Sequence, residues 1–153
     1  MNKTLDLFLL KLGLLSFWWL WFGIVLLTNL CEALKVFDRL PWTWKFASHN
    51  FPPVVLALTE YAAPSWLCRV FFGGILLWQF ITVLLFGGAT VLSVEQGSLH
   101  WEGVDAAFAA GLGFWAVFML ADEICKQYDQ EHNHILFFMA QLVTLVALHL
   151  LPA

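Results

Sequence analysis

The sequence predicts an all-α, polytopic membrane protein: a four-transmembrane-helix bundle with a short interfacial helix between spans 1 and 2. Hydrophobic residues make up 61% of the 153 residues and charged residues 12%, against about 25% charged in an ordinary soluble domain. Four stretches carry no charge, and their lengths lie near the roughly 20 residues that cross a bilayer as a helix. A soluble fold of this size has too little interior to bury so much apolar surface. We therefore expect residues 1–153 to form a single membrane domain.

The first span contains an aromatic cluster, Trp18, Trp19 and Trp21, near its middle. Aromatic residues normally concentrate at the membrane interface, so a cluster at this depth predicts packing against another helix. Contact with lipid, a bound pigment or a quinone is the alternative. The four predicted spans cover about residues 7–30, 70–94, 106–125 and 135–151.

The long connection after the first span predicts a surface segment at about residues 41–66. Trp42 and Trp44 lie among charged residues such as Asp38, Arg39 and Lys45, as in an interfacial segment. The apolar stretch that follows is bracketed by Pro53 and Pro64 and is too short to cross a bilayer. A proline suits the first turn of a helix. We expect a short helix lying on the membrane or dipping into it.

Small residues in the second and third spans predict close helix packing, because in lipid they let two backbones approach. Gly73 and Gly74 lie near the start of the second span, and Ala107, Gly111 and Gly113 lie in the third. The third-span residues form small-xxx-small patterns, which predict a tight neighbour in this chain or in a partner.

Polar residues gather on one side of the predicted membrane, where the first and third spans end. We call Asn29, Glu32, His49, Asp122 and Glu123 the polar corner. Carboxylates at this depth are typical either of a solvated helix end or of proton and quinone chemistry. Lys and Arg are more frequent on this side, which predicts that it faces the cytoplasm.

A metal site is a second interpretation of this side, since carboxylates and imidazoles bind Zn, Fe, Cu or Mn. No diagnostic ligand spacing supports it. Haem is not expected, because every histidine except His149 is predicted to lie in a loop. Bound lipid or quinone is the preferred cofactor expectation. The candidate metal ligands are Glu32, Glu123, Asp129, His132 and His134.

The same positions resemble a bacterial family described as predicted small integral membrane proteins with four spans. Its Asn-x-x-Asp motif matches Asn29–Glu32, with Glu in place of Asp, and its loop motif ending in His matches Thr43–His49. The family's Gly-Glu-Trp motif falls on Asp122–Ile124, where only Glu123 matches. The Glu95–Asp105 loop lacks the basic residues that the family has there. The resemblance implies the fold, the polar corner and a multi-pass location in the bacterial inner membrane, but no reaction.

The net charge of −4 excludes a basic nucleic-acid-binding surface. No nucleophile elbow or phosphate-binding loop is present, so we expect no enzymatic activity from the chain on its own. The leading hypothesis is a non-catalytic accessory or structural subunit of a larger energy-transducing or redox complex, with lipids and other integral membrane subunits as partners. One alternative is a membrane redox protein that handles a metal or a quinone at the polar corner. Another is a small oligomeric transporter or channel.

Overall fold

The computed structural model describes residues 3–152, which fold into five helices and contain no strand. Four of the helices are long and apolar enough to cross a membrane, and the short one lies between the first and second of these. The predicted fold class is confirmed. The helices are α1 (Lys3–Val36), α2 (Phe51–Thr59), α3 (Ser65–Gln96), α4 (Trp101–Cys125) and α5 (Tyr128–Leu150).

The helices extend beyond the predicted spans, because charged residues do not mark their ends. α1 continues past Glu32 and Lys35, which are both 1% exposed and lie inside the fold. α3 begins directly after Pro64, whose backbone is extended, and ends at Gly97, whose φ of 65° is left-handed. Glycine adopts this conformation without strain, so it ends the helix.

A tight turn joins α4 to α5. Lys126 adopts a left-handed φ of 55°, and α5 starts two residues later. The end of α4 therefore lies beside the start of α5. α1 also ends at this end of the bundle, and α3 begins there. We call it the α2 end, because α2 covers it.

The long helices pack in the order α1, α3, α4, α5, and α2 packs on α3. α1 and α5 close the bundle through side chains rather than through close helix packing. Lys11 Nζ donates a hydrogen bond of 2.8 Å to the Leu151 carbonyl, and the rings of Trp21 and Phe137 are 5.2 Å apart. Large apolar side chains on the outer faces are exposed, as expected of helices that face lipid.

Aromatic side chains form the core. Phe22 is fully buried, and its ring lies between 5.7 and 6.0 Å from those of Phe86, Phe114 and Trp115. All three members of the aromatic cluster take part in this packing: Trp18 is buried in the same core, Trp19 lies against Gly87 of α3, and Trp21 packs against the core beside Phe137 of α5.

The small residues differ in what they contact. Ala107 is fully buried, and a Cβ on Gly111 would stand 2.5 Å from the Gln141 amide nitrogen, so this glycine makes room for α5. A Cβ on Gly113 would touch Trp78 at 3.4 Å. Gly73 and Gly74 are exposed, with no described atom within 4 Å of an added Cβ. Their predicted packing is therefore not made with another described helix of this chain, since both glycines lie on the outer face of α3.

Candidate functional site

A cavity of about 580 Å³ lies at the α2 end, surrounded by all four long helices and covered by α2. Part of its wall is aromatic, with Trp21, Phe114, Trp115 and Phe137. Another part is polar, and the polar side chains come from the four long helices, the loop before α2 and the turn between α4 and α5. They include Asn29, Asn50, Gln79, Asp122, Gln127 and His134.

A carboxylate–imidazole pair lies in the wall of this cavity. Asp122 of α4 is 6% exposed, and its Oδ2 contacts Nδ1 of His134, twelve positions later on α5. A carboxylate only accepts hydrogen bonds, so Nδ1 of His134 is the donor and Nε2 remains for another partner. The His134 ring lies 4.8 Å from Phe118 and 6.0 Å from Trp115. The carboxylate and the two aromatic rings hold the imidazole in place.

A chain of three amides forms part of the polar lining of the cavity. Asn50 donates a hydrogen bond of 2.8 Å to Asn29 Oδ1, and Asn29 donates one of 2.9 Å to Gln79 Oε1. Asn29 and Gln79 are 1% and 2% exposed. Burial of an amide is costly unless it is hydrogen-bonded, so these bonds allow polar groups to lie inside an apolar bundle. The Gln79 Nε2 donates to no described residue.

α2 forms a cover that is attached to the bundle mainly at its two ends. Before it, Asn50 bonds to Asn29, and the Ser48 backbone N–H donates to the Thr28 carbonyl at 3.1 Å. After it, the Tyr61 hydroxyl donates to the carbonyl of Ile124 at the end of α4. None of the nine residues of α2 is buried. The helix is therefore held by end contacts and by packing on α3, not by insertion into the core.

Two indole N–H groups at the aromatic wall lack a partner. Nε1 of Trp21 and Nε1 of Trp115 are buried and donate to no described residue. A buried indole N–H usually finds an acceptor. Phe137 lies between the two indoles, 5.2 Å from Trp21 and 4.9 Å from Trp115. These three rings of the aromatic wall are therefore positioned by packing, since neither indole N–H bonds to a described residue.

The polar corner separates into groups with different surroundings. Asn29 and Asp122 line the cavity. Glu32 is 1% exposed, lies outside the cavity lining, and has its Oε2 4.0 Å from Nδ1 of the exposed His49. Glu123 is exposed. Asp122 and Glu123 are separated because successive residues of a helix point about 100° apart.

The candidate metal ligands lie apart. His134 pairs with Asp122, while Asp129 and His132 are exposed. Among the described residues, no three His, Cys, Asp or Glu side chains stand close enough to hold one ion. The prediction that His132 and His134 lie in a loop is wrong, because α5 begins at Tyr128 and includes both.

Sequence analysis missed Gln79 and Asn50. Gln79 lies inside the uncharged stretch of the second span, where a search for charges passes over an amide. Its signal was available, since polar side chains within a span are rare and usually face the bundle interior. Asn50 gave no such signal, because asparagine is common in loops.

The fold and this site define the class of the protein: a polytopic α-helical membrane protein with a partly aromatic cavity at one end, covered by a short helix. No protein family model matches the chain, and no curated protein and no solved structure is similar to it. The resemblance to small bacterial integral membrane proteins therefore stays a prediction.

Proposed function

We propose that this protein binds a quinone or quinol in the cavity beneath α2. The observation that carries the proposal is the composition of the cavity: its lining combines aromatic rings with an imidazole–carboxylate pair and amides. Its volume of about 580 Å³ suits a small molecule, since binding sites for such ligands occupy roughly 300–1,000 Å³.

A quinone headgroup fits this chemistry because it is a flat ring with an oxygen at each end. Trp115 and Phe137 line the cavity and supply aromatic surface against which such a ring packs. With Nδ1–H directed at Asp122, a neutral His134 accepts at Nε2 from a quinol hydroxyl. A protonated His134 donates from Nε2 to a quinone carbonyl, and the carboxylate then stabilises the imidazolium. The amide N–H₂ of Gln79 supplies a donor for the second oxygen.

We further propose that the protein holds its ligand as an accessory subunit of a larger redox or energy-transducing complex in the bacterial inner membrane. The small size and the absence of a catalytic motif favour this role. The exposed apolar faces would contact lipid and neighbouring integral membrane subunits.

Binding is tested on the purified protein in detergent with a decyl-tailed dimethoxy-methyl-benzoquinone, followed by quenching of tryptophan fluorescence. We expect saturable quenching, and a loss of affinity of about tenfold or more in His134→Ala, because the hydrogen bond that a protonated His134 donates to the quinone carbonyl contributes about 1.5–3 kcal/mol. Asp122→Asn should lower affinity in the same direction. His132→Ala is the matched control, since His132 is exposed on the same helix and does not line the cavity.

Circular dichroism of each variant shows whether the bundle remains folded. The proposal is wrong if the wild-type protein shows no saturable binding, or if folded His134→Ala and His132→Ala bind the quinone equally well. Identification of the molecule that co-purifies with the protein, by solvent extraction and mass spectrometry, gives an independent answer.

A further inference from the structure

We infer that the ligand carries an apolar tail, and that the tail lies in a groove between α1 and α5 that opens to the bilayer. This inference rests on the proposed function and adds the ligand class, a quinone with an alkyl or isoprenoid chain. The groove has a volume of about 420 Å³. We call it the seam groove; its walls include Leu14, Phe17 and Trp21 of α1 and Phe137, Ala140 and Thr144 of α5.

The cavity and the seam groove share a wall. Trp21 and Phe137 line both spaces, and their rings, 5.2 Å apart, stand between them. The two helices meet here through side chains, whereas the other neighbouring long helices pack closely. We place the exit of the tail at this pair of rings, because Trp21 and Phe137 are the side chains that line both spaces.

The seam groove is mostly apolar. Thr144 contributes a hydroxyl group, which donates a hydrogen bond of 2.7 Å to the Ala140 carbonyl of the same helix. The remaining walls are hydrocarbon and aromatic surface. Phe17 is 52% exposed, so the groove opens on the outer face of the bundle. A hydrocarbon chain can lie here without displacing any hydrogen-bonded group.

Trp21 is suited to act as the movable part of the shared wall. Its indole N–H donates to no described residue, and its ring is positioned by contacts with Phe17 and Phe137. Rotation of this side chain consequently breaks no hydrogen bond. Ala140, which is small and exposed, leaves the space into which a tail passes.

The test compares the decyl-tailed benzoquinone with the same headgroup lacking the tail, in wild-type protein and in Ala140→Trp. We expect Ala140→Trp to weaken binding of the tailed form about tenfold or more, and to change binding of the tail-less form less than twofold. Ala140→Leu is the milder second variant and should act in the same direction. Ala109→Trp is the matched control, because Ala109 is an exposed alanine that lines neither space.

A tail with a terminal diazirine provides a second measurement and should label α1 and α5 within the seam groove. Equal weakening of both ligand forms, no effect in folded Ala140→Trp, or labelling of other helices overturns the inference while leaving the proposed function standing. If the wild-type protein binds neither form, the proposed function fails and the inference fails with it.

Discussion

The hydrogen bond between Asn29 and Gln79 joins α1 to α3 inside the bundle, and its energy is measurable by a double-mutant cycle. The two side chains are 1% and 2% exposed, and the donor–acceptor distance is 2.9 Å. In membrane proteins such bonds average about 0.6 kcal/mol and reach about 1.7 kcal/mol. Asn29→Ala also removes the bond from Asn50 and leaves Gln79 Oε1 without its donor. We therefore expect the single variant to lose about 1–3 kcal/mol of stability, and the pair to be coupled by about 1 kcal/mol.

The cycle consists of wild type, Asn29→Ala, Gln79→Ala and the double variant, each unfolded with SDS in mixed micelles and followed by circular dichroism. Thr90→Ala, combined with Asn29→Ala, is the control. Thr90 is a buried polar residue on the same helix as Gln79, but it bonds to the Phe86 carbonyl of its own helix. Distant sites add within about 0.3–0.5 kcal/mol. If the coupling energy between Asn29 and Gln79 is no larger than this range of about 0.3–0.5 kcal/mol, the two amides are not hydrogen-bonded to each other and the amide chain is refuted.

Three further outcomes are expected. Gly111→Leu should lower stability by about 1–3 kcal/mol through overpacking, whereas Gly74→Leu, on the outer face, should leave the SDS midpoint unchanged. Tyr61→Phe removes the bond from the cover to the end of α4, so amide hydrogens of residues 51–59 should exchange faster while those of α3 do not. Lys11→Met removes the bond to the Leu151 carbonyl and should cost about 1–3 kcal/mol by the same unfolding assay, because the acceptor is left without its donor.

Much of the fold could be predicted from the sequence because bilayer thickness fixes how long an uncharged stretch must be. The prolines around α2 likewise predicted a short helix between the first two spans, and the structure has one. Helix ends were less predictable. Glu32 and Lys35 suggest an aqueous boundary, yet both are buried and α1 continues past them. A charge count cannot distinguish a charge in water from one covered by the rest of the chain.

The candidate site was predictable only in part, because it depends on which face of each helix a residue occupies. Asp122 and Glu123 are adjacent and chemically similar, but one lines the cavity and the other is exposed. His134 contacts Asp122 only because the turn at Lys126 sets α5 directly beside α4. The cavity itself is a product of tertiary structure, since its walls come from all five helices. No local pattern encodes it.

The amide chain connects the interior of the cavity to its cover. Gln79 lies in the wall, Asn29 bonds to it, and Asn50, at the start of α2, bonds to Asn29. A ligand that accepts a hydrogen bond from the Gln79 N–H₂ group keeps the Gln79 oxygen directed at Asn29. In this arrangement Asn29 donates to Gln79, and the Asn29 oxygen accepts from Asn50. Binding inside the cavity and docking of α2 over it therefore favour the same set of side-chain orientations. By thermodynamic reciprocity, if the proposed ligand stabilises the docked α2, docking of α2 raises the affinity for that ligand by the same factor.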